Sequence, residues 1–474
     1  MKRRTKIVAT LGPATDDSEA LENLIRAGCD VVRINFSHGD PKTHGRRIRM
    51  VRAVARELDT DVAVLADLSG PKIRIDRFRE GRVELVRGQH FSLYARQNPP
   101  AGDERGVGVA YLGLAQDVEP GSELLIDDGL MSLTVNEVVG DEIRCAVNTS
   151  GPLSDRKGLN LRGGGLSIPG VSEADKTDIQ LAAEWQVDYL AVSFPRSAED
   201  MNQARELLEA AGGTAGLVSK IERTEAIENL DDIIRASDAV LVARGDLGVE
   251  IGEAELPGLQ KRIIAASLSL NRPVITATQM MQSMIENPIP TRAEVLDVAN
   301  AVIDGTDAVM LSAETAVGRH PDKVIEAMAR ICEGAERHIQ ANQTARLVNV
   351  RAERADQAIA MAAMMVANNF GAQAIIALTE SGSTARWLSR VRSPLPIIGM
   401  SPNRASLRKM RLFQHVQPLF FSANEAHSSD IPQLAMACAK AAGLIQTGDR
   451  VLLTLGDDMG VLGGTNTLKI LEVE

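Results

Sequence analysis

A recurring unit runs along most of this chain: a short apolar, β-branched run ends at a polar residue and leads into a segment with helical spacing. Between residues 215 and 250, two such runs (217–218 and 239–242) flank apolar residues spaced as on one face of a helix, at Ile227, Leu230, Ile233 and Ile234. This pattern predicts a βαβ unit whose two parallel strands are buried. Six more runs share it, at residues 7–9, 31–34, 62–66, 189–192, 273–275 and 308–311. Eight runs that each end in polar side chains predict a (β/α)8 TIM barrel with a site at its C-terminal rim.

The repeat is interrupted between residues 71 and 169. Alternating residues, glycine-rich turns and little helical periodicity, as in GSELLIDDGLMSLTVNEVVGDEIRCAV, predict an all-β insert. An insert after the third strand would hang over the barrel mouth as a lid that excludes water when it closes. We therefore expect a barrel domain at 1–70 and 170–342 and a lid domain at 71–169. A doubly wound open sheet is the alternative to the barrel, but it would not so naturally bring all eight strand ends together.

A second α/β unit is expected at residues 343–474, where apolar runs at 374–378, 396–400, 416–421, 451–455 and 468–473 alternate with helix-like stretches. Its first strand leads into a turn rich in hydroxyls and glycine, and a second glycine-rich loop lies near the end of the chain. Backbone N–H groups and hydroxyls of this kind can bind an anion, most simply phosphate, although two capping turns are the alternative. No residue here resembles a general acid or base, so regulation is the more plausible role. The candidate effector residues are Thr379, Ser381, Gly382, Ser383, Thr384, Gly464 and Thr465.

Charged side chains follow the two neighbouring runs of the 215–250 segment: Lys220 and Glu222 after the first, Arg244 and Asp246 after the second. The carboxyl ends of adjacent parallel strands face one crevice, so these groups should meet there. Glu222 and Asp246 suit Mg²⁺, which is usually held by one or two carboxylates plus phosphate. Lys220 suits negative charge that develops on a transferred phosphoryl group or an enolate oxygen. The alternative is that the charges only solvate the rim, but four charges on two neighbouring ends favour a site.

Composition narrows the remaining possibilities. A net charge of −11 argues against general nucleic-acid binding, because the phosphate backbone would be repelled. The four cysteines lie far apart without a CxxC pair, which fits reduced thiols in the cytosol better than disulfides or zinc. The basic N-terminus lacks the apolar core of a signal peptide, and no segment reaches the roughly 18 apolar residues of a membrane span. We therefore expect a soluble, cytoplasmic protein.

Seven stretches resemble the pyruvate kinase family, and the resemblance covers essentially the whole length of the chain. They are 5–15 (TKIVATLGPAT), 33–39 (RINFSHG), 218–222 (VSKIE), 242–250 (VARGDLGVE), 277–281 (ATQMM), 290–300 (PTRAEVLDVAN) and 307–315 (DAVMLSAET). A match to GDLG alone would not be specific for the family, but several long matches in the family's order along the chain are. The resemblance implies transfer of phosphate from phosphoenolpyruvate to ADP, which yields pyruvate and ATP.

The resemblance also implies residue roles. Glu222 and Asp246 would hold the Mg²⁺ (or Mn²⁺), while Lys220 and Arg33 would contact the transferring phosphate. The backbone at Gly245 and Asp246 and the Thr278 hydroxyl would position the substrate carboxylate, and Thr278 and Ser312, with water, would deliver the proton to the enolate carbon. The nucleotide contacts would come from Asn35, His38, Arg74 and Lys157. Such a reaction needs alignment and cations rather than a covalent nucleophile.

One departure from the family concerns the monovalent cation. Many members hold K⁺ near the positions of Asn35, Ser37, Asp67 and Leu68, and often carry threonine at the position of Leu68 and glutamate at that of Lys72. An ammonium at Lys72 could take the place of the bound ion, because both are compact cations. We therefore expect activity without K⁺, as in the K⁺-independent branch. The alternative is that Lys72 faces solvent and K⁺ still binds.

The resemblance extends to regulation. Ser383 stands where relatives that respond to sugar bisphosphates often have a basic residue, so we expect activation by AMP or a sugar monophosphate. Family members couple such a site to the barrel as tetramers, so a homotetramer is expected.

Two rival functions fit part of the pattern. Another Mg²⁺-dependent barrel that handles enolates, such as a C–C lyase, would share Glu222 and Asp246 but would not need Arg74 and Lys157 from the lid. A catalytically idle metabolite sensor would be expected to have lost Lys220, Thr278 or a metal carboxylate, and all of these are present.

Overall fold

The computed structural model describes residues 3–338, 352–391, 393, 395–423, 427–457 and 463–474, and it contains a closed barrel of eight parallel strands. Strands are numbered along the whole chain, and around the barrel they follow the order β1-β16-β15-β14-β13-β12-β3-β2. The predicted barrel is confirmed, and each predicted apolar run forms one strand. The barrel strands are β1 (Lys6–Thr10), β2 (Val31–Asn35), β3 (Ala63–Asp67), β12 (Tyr189–Val192), β13 (Gly216–Ile221), β14 (Ala239–Ala243), β15 (Val274–Ala277) and β16 (Ala308–Leu311).

Each barrel strand is buried on both faces. Val8 of β1 packs in the barrel interior with Leu65 and Leu241, whereas its neighbours Ile7 and Ala9 pack against the surrounding helices. Because successive side chains point to opposite faces, a strand buried on both faces consists of a continuous apolar run rather than an alternating one. This double burial explains why the strands were recognisable in the sequence.

Helices surround the barrel. The segment between β13 and β14, predicted as one helix, instead forms two short helices that meet at Asn229, whose amide donates to carbonyls of Glu225 and Arg196. The helices are α1 (Ser18–Arg26), α2 (Pro41–Glu57), α4 (Glu173–Glu184), α5 (Ala198–Ala210), α6 (Thr224–Glu228), α7 (Leu230–Ala236), α8 (Arg244–Ile251), α9 (Leu256–Ser269), α10 (Arg292–Asp304), α11 (Ala313–Ala316) and α12 (Pro321–His338), with 3-10 turns at Pro13–Thr15 and Gln282–Ile285.

The insert between β3 and β12 is mostly β-structure with its own apolar core. A six-stranded sheet has the order β11-β7-β8-β9-β5-β6, and β4 pairs with β10. One helical turn, α3 (Leu114–Asp117), interrupts the strands. The strands are β4 (Arg82–Leu85), β5 (His90–Tyr94), β6 (Gly106–Gly108), β7 (Glu123–Ile126), β8 (Met131–Val139), β9 (Glu142–Val147), β10 (Gly151–Ser154) and β11 (Leu159–Leu161).

The C-terminal part is an α/β unit built on a five-stranded sheet of order β19-β18-β17-β20-β21, in which only β21 is antiparallel to its neighbour. The predicted boundary at residues 342–343 lies outside the described residues. Among those described, no helix has both the length and the apolar character needed to cross a bilayer. The elements are α13 (Ala355–Phe370), β17 (Ala374–Leu378), α14 (Ser383–Ser389), β18 (Ile397–Ser401), α15 (Arg404–Met410), β19 (Val416–Phe420), α16 (Ile431–Ala441), β20 (Arg450–Leu455) and β21 (Thr467–Glu472).

The C-terminal unit packs against the N-terminal ends of the barrel strands. The guanidinium of Arg390, which follows α14, donates from Nη1 to Oδ2 of Asp307 at 2.9 Å, and both side chains are almost fully buried. Asp307 lies directly before β16, and its Oδ2 also accepts the backbone N–H of Val274. The C-terminal rim of the barrel is therefore left open toward the insert.

Candidate active site

Lys220 is the centre of a buried charge cluster at the C-terminal rim. Its Nζ lies 3.0 Å from Oε1 of Glu222 and 3.3 Å from Oδ1 of Asp67, and it donates to Oγ of Ser193 at 2.7 Å. Burial alone would lower the pKa of Lys220, but the carboxylates of Asp67 and Glu222 outweigh burial and the pKa is raised. The side chain is thus held as a cation, in one orientation.

Arg33 joins the cluster through Asp67. Its Nε donates to Oδ2 of Asp67 at 2.6 Å, and its Nη1 donates to Oγ1 of Thr10 at 3.1 Å. Burial would raise the pKa of Asp67, but Arg33 and Lys220 together lower it. Asp67 therefore aligns two cations on one side of the rim.

Glu222 and Asp246, the predicted magnesium ligands, approach one another. Burial raises the pKa of Glu222; Lys220 opposes this effect, whereas the nearby carboxylates of Asp246 and Asp67 add to it. The second oxygen of Glu222 accepts the backbone N–H of Phe194 at 3.0 Å, which fixes the carboxylate. Two carboxylates near one another match the preference of Mg²⁺ for a few carboxylates plus ligand oxygens. In the described part of the chain no group of three or more His, Cys, Asp or Glu side chains forms a fuller metal cage.

Asp246 lies in the first turn of α8, and its Oδ1 is 2.9 Å from Nζ of Lys72. Lys72 comes from the start of the insert, so this ion pair joins insert and barrel at the rim. The monovalent-cation hypothesis placed Lys72 with Asn35, Ser37, Asp67 and Leu68. Here Lys72 pairs with Asp246 instead, while Asp67 is occupied by Arg33 and Lys220.

The other members of that predicted ion site have local contacts. Oδ1 of Asn35 accepts the backbone N–H of Ser37 at 3.1 Å. The Leu68 side chain is buried, and its carbonyl accepts the Ser193 hydroxyl at 2.7 Å. Only the backbone oxygen of Leu68 could therefore contact an ion.

Thr278 is held in a strained backbone conformation after β15. Its φ is +69° and that of Gln279 is +54°, and each such residue costs about 1–2 kcal/mol. The hydroxyl accepts the N–H of Gly245 at 2.9 Å and lies 2.6 Å from the carbonyl of Ala277. Gly245 and Thr278 thus meet across the ends of β14 and β15.

Arg244 supports this loop from behind. Its Nη2 donates to the carbonyl of Thr278 at 2.7 Å, its Nε donates to that of Ala277, and its Nη1 contacts Asp297 at 2.6 Å. The sequence placed Arg244 among the rim charges, but its side chain is buried and stabilises the loop. The sequence of a charged motif does not show whether its arginine side chain faces the rim or packs behind the loop.

Ser312 lies between the end of β16 and the start of α11. Its N–H donates to Oε2 of Glu314 at 2.7 Å, and the other oxygen of Glu314 accepts the N–H of Met281 at 3.2 Å. Buried Glu314 therefore fixes the loop after β15 to the end of β16. Glu314 belongs to the family-like stretch 307–315, but nothing in that stretch indicates this role.

The predicted nucleotide residues form two groups. Arg74 pairs with Gly158 in an antiparallel bridge, and Lys157 contacts Asp127 at 2.9 Å, so both lie at the root of the insert. Asn35 and His38 lie at the end of β2. Within the described residues, no hydrogen bond or ion pair joins the two groups.

The predicted effector residues form a compact turn in the C-terminal unit. Thr379 Oγ1 accepts the N–H of Gly382 at 3.0 Å, and Gly382 has φ +86°, which favours glycine. The hydroxyls of Thr384 and Thr465 are 2.8 Å apart, so the two predicted loops meet there. Ser381 and Ser383 flank Gly382, and Gly464 precedes Thr465.

A closed parallel barrel with ordered cations and carboxylates at its C-terminal rim defines a (β/α)8-barrel enzyme that handles anionic substrates. The family description "Pyruvate kinase, barrel domain" matches residues 2–325, and "Pyruvate kinase, alpha/beta domain" matches residues 357–471. The chain is 52% identical to pyruvate kinase II of Salmonella typhimurium, over 100% of this chain and 99% of the relative. It is 48% identical to the pyruvate kinase of Haemophilus influenzae, over 100% and 99%. A crystal structure of a pyruvate kinase from Cryptosporidium parvum superimposes with a TM-score of 0.94 at 34% identity, over 100% of this chain and 96% of that one.

The chain therefore belongs to the pyruvate kinase family. It is a phosphotransferase of the pyruvate kinase type, and the predicted resemblance is confirmed.

Proposed function

We propose that the rim cluster transfers the phosphoryl group of phosphoenolpyruvate to ADP, with a divalent cation held by Glu222 and Asp246. The observation that carries the proposal is the position of Lys220, whose ammonium lies between Asp67 and Glu222 with Arg33 on the far side of Asp67. Two fixed cations beside a carboxylate pair suit a reaction in which negative charge spreads over phosphoryl and enolate oxygens.

The residues of the chain have separate parts in this reaction. Arg33 and Lys220 bind the phosphoryl oxygens, and Lys220 also faces the enolate oxygen. The P–O bond to the enol oxygen breaks, a new P–O bond forms to the terminal phosphate oxygen of ADP, and the enolate takes a proton at carbon. Thr278 and Ser312, with water, are the candidate proton donors, and the backbone at Gly245 and Asp246, with the Thr278 hydroxyl, orients the substrate carboxylate. Bound Mg²⁺ (or Mn²⁺) would neutralise phosphate charge as a Lewis acid.

Nucleotide binding is assigned to Arg74 and Lys157 at the root of the insert and to Asn35 and His38 on the barrel. The two cations of the insert and the two polar side chains of the barrel would hold the diphosphate between them. The chain is proposed to divide into a barrel (1–70 and 170–342), a lid (71–169) and an effector domain (343–474).

A coupled assay for pyruvate release tests the reaction. We expect release that requires both ADP and Mg²⁺ or Mn²⁺, stops with EDTA and does not require K⁺. Release without ADP would instead indicate a C–C lyase acting on an enolate, and binding of metabolites without turnover would indicate a sensor.

Regulation by a phosphorylated metabolite is proposed for the turn that contains Thr379, Ser381, Gly382, Ser383 and Thr384, closed by Gly464 and Thr465. The contact between Thr384 and Thr465 supports this site, because it brings hydroxyls from two loops together. Sigmoidal dependence of velocity on phosphoenolpyruvate that becomes hyperbolic with AMP or a sugar monophosphate is the expected result. Hyperbolic kinetics that no such compound alters would refute it.

The proposed setting is a homotetramer in the cytoplasm. All four cysteines are free thiols, three of them buried, which suits a reducing compartment. Sedimentation at enzyme concentrations used in assays would give the oligomeric state.

A further inference from the structure

Ser193, directly after β12, contacts the Lys220 ammonium through a neutral hydroxyl. Nζ of Lys220 donates to its Oγ at 2.7 Å, whereas the carboxylate oxygens of Glu222 and Asp67 lie at 3.0 and 3.3 Å. An ammonium has three N–H donors, so these three contacts use all of them. The shortest of the three is the contact with Ser193, the only uncharged partner in this set.

The hydroxyl of Ser193 is itself fixed as an acceptor for Lys220. Its O–H donates to the carbonyl of Leu68 at 2.7 Å, while the other acceptor beside it, Oδ1 of Asp67, is 3.4 Å away. A hydroxyl has one proton and two lone pairs, so its lone pairs remain for the ammonium. Ser193 is only 1% exposed, so bulk water does not compete for this contact.

The next residue holds a second member of the cluster. The backbone N–H of Phe194 donates to Oε2 of Glu222 at 3.0 Å, and its φ of +57° lies in the left-handed region, which a bulky side chain rarely adopts. Residues in such conformations persist only where the surrounding structure holds them, and they cluster at functional sites. Two consecutive residues therefore hold Lys220 and Glu222.

Gly70, the last residue before the insert, packs directly on this pair. Its φ is +66°, and an added Cβ would lie 2.6 Å from Cβ of Ser193 and 2.9 Å from Cδ2 of Phe194. Non-bonded carbon atoms do not approach so closely, so the position accepts only glycine without a shift of its neighbours. Its N–H donates to Oδ1 of Asp175 at 3.0 Å, which fixes this backbone to the start of α4.

We propose that Ser193 is a positioning residue for the reaction: its hydroxyl orients the Lys220 ammonium toward the transferring phosphoryl group, and the close packing of Gly70 keeps Ser193 in place. A neutral acceptor orients the ammonium without neutralising it, so the charge of Lys220 stays available to phosphoryl and enolate oxygens. The inference rests on the proposed function, because it assigns Ser193 a part that acts through Lys220.

Steady-state kinetics of pyruvate release test the role of the hydroxyl. Ser193→Ala should lower kcat by about tenfold or more and change the KM for phosphoenolpyruvate by less than about threefold, because Lys220 keeps its charge but loses its orientation. Ser193→Cys keeps a side chain of similar shape but offers only a weak acceptor, so it should resemble Ser193→Ala. A wild-type kcat in either variant would overturn the inference, and full recovery in Ser193→Cys alone would show that the serine only fills space.

Ser219→Ala is the matched control. Ser219 precedes Lys220 on β13 and is equally buried, but none of the residues that the structure describes forms a hydrogen bond with its Oγ. Its kcat should stay within about twofold of that of the wild type. A loss equal to that in Ser193→Ala would mean that any buried hydroxyl beside Lys220 has the same effect, and it would overturn the inference.

The reactivity of Lys220 gives a readout that does not depend on turnover. Brief treatment with acetic anhydride, followed by mass spectrometry, should show Lys220 acetylated severalfold faster in Ser193→Ala than in the wild type or Ser219→Ala, because one of its three contacts is gone. Equal rates would overturn the inference even in an inactive protein. Faster acetylation together with a wild type that releases no pyruvate would instead refute the proposed reaction.

The packing of Gly70 is tested against a glycine with the same kind of backbone. Gly81, in the insert, has φ +78°, and an added Cβ would meet nothing within 4 Å. Gly70→Ala should have a kcat at least tenfold below that of Gly81→Ala, because both strain the backbone but only the former displaces Ser193. Equal kcat values would overturn the part assigned to Gly70. Thermal unfolding shows whether each variant is folded, and the serine variants decide the inference if Gly70→Ala is not.

Discussion

Nζ of Lys72 lies 2.9 Å from Oδ1 of Asp246, and both side chains are about a quarter exposed. The pair joins the start of the insert to the first turn of α8. It also places the cation of Lys72 beside Asp246, a proposed metal ligand. A K⁺ ion bound near this position would have to share the space with the ammonium. The partner of Lys72 is Asp246 rather than Asp67, and activity without K⁺ stays a prediction.

The first prediction concerns K⁺. Initial velocities of the wild-type chain in NaCl and in KCl should agree within about twofold, a difference worth less than 0.5 kcal/mol in the barrier. Lys72→Glu should lower the velocity in NaCl by about tenfold or more, because a second carboxylate would face Asp246, and KCl should restore part of it. Lys176→Glu, an equal charge change on the exposed side of α4, serves as the control. A large gain for the wild type in KCl would contradict this role of Lys72.

The second prediction concerns Lys220. Lys220→Met should reduce turnover by about a hundred- to a thousandfold, the usual effect of removing one charge-stabilising donor from an active site. Lys220→Arg keeps the charge, so its turnover should lie between those of the wild type and of Lys220→Met. The control is Lys261→Met, which removes an exposed lysine on α9. Near-normal turnover of folded Lys220→Met, checked by circular dichroism, would rule out the assigned role.

The third prediction concerns the hydroxyl of Thr278. Thr278→Val should slow incorporation of solvent deuterium into the methyl group of pyruvate by about a hundredfold, because the proton donor is removed, whereas Thr278→Ser should retain most of the rate. The valine variant also removes the acceptor for the N–H of Gly245, so its KM for phosphoenolpyruvate should rise. NMR of the product measures the exchange. If Thr278→Val and Thr278→Ser exchanged deuterium equally fast, the proton would have to come from another group.

Much of the fold could be predicted because its signal is local. The eight barrel strands are buried on both faces and consist of short apolar runs, and β3 and β16, for example, lie within one residue of their predicted positions. That Lys220 and Glu222 lie together at the rim was also predictable, because both follow the first apolar run at the carboxyl end of one strand.

Other relationships depend on contacts between distant residues and left no local signal. Lys72 meets Asp246 across 174 positions, and Glu314 links the ends of two strands through backbone N–H groups. Asp67 was predicted as an ion ligand, but in the folded chain it orients Arg33 and Lys220. Periodicity shows that such residues are at the rim; only the folded chain shows which partner each one takes.

The fourth prediction concerns the buried ion pair between Arg390 and Asp307, which fixes the C-terminal unit to the barrel. Arg390→Met should lower the free energy of unfolding by about 3–5 kcal/mol, because it leaves the Asp307 carboxylate buried with less compensation. Adding Asp307→Asn should recover part of the loss, since the uncompensated charge is removed. Urea denaturation of the single and double variants measures both effects. Equal stability of Arg390→Met and the wild type would show that the pair does not stabilise this contact.

Glu250, at the end of α8, connects three parts of the molecule. Its Oε2 accepts the N–H of Thr224 at 3.0 Å, its Oε1 faces the amide of Asn160 in the insert, and its carbonyl accepts the N–H of Gly163. Burial, and further the charge of Glu225, raises the pKa of Glu250 to about 7 against the contacts with Thr224, Arg223 and Asn160, which lower it. The side chain is thus protonated in the folded state over a range of pH in which an unfolded glutamate is ionised.

The fifth prediction follows from that shift in the pKa of Glu250. Because the folded pKa exceeds the ordinary 4.5, the stabilising effect of the protonated carboxyl is complete below about pH 4.5 and is lost as the pH rises toward 7, by about 3 kcal/mol at most. Glu250→Gln has no carboxyl to titrate at this position. Between pH 5 and pH 7 the free energy of unfolding of the wild type should therefore fall relative to that of Glu250→Gln. Denaturation of both chains at several pH values measures the difference, and Glu173→Gln, at an exposed position on α4, gives the baseline. If the difference between Glu250→Gln and the wild type did not change with pH, the buried carboxyl would have to be ionised throughout, and the contact between insert and barrel would not respond to protons.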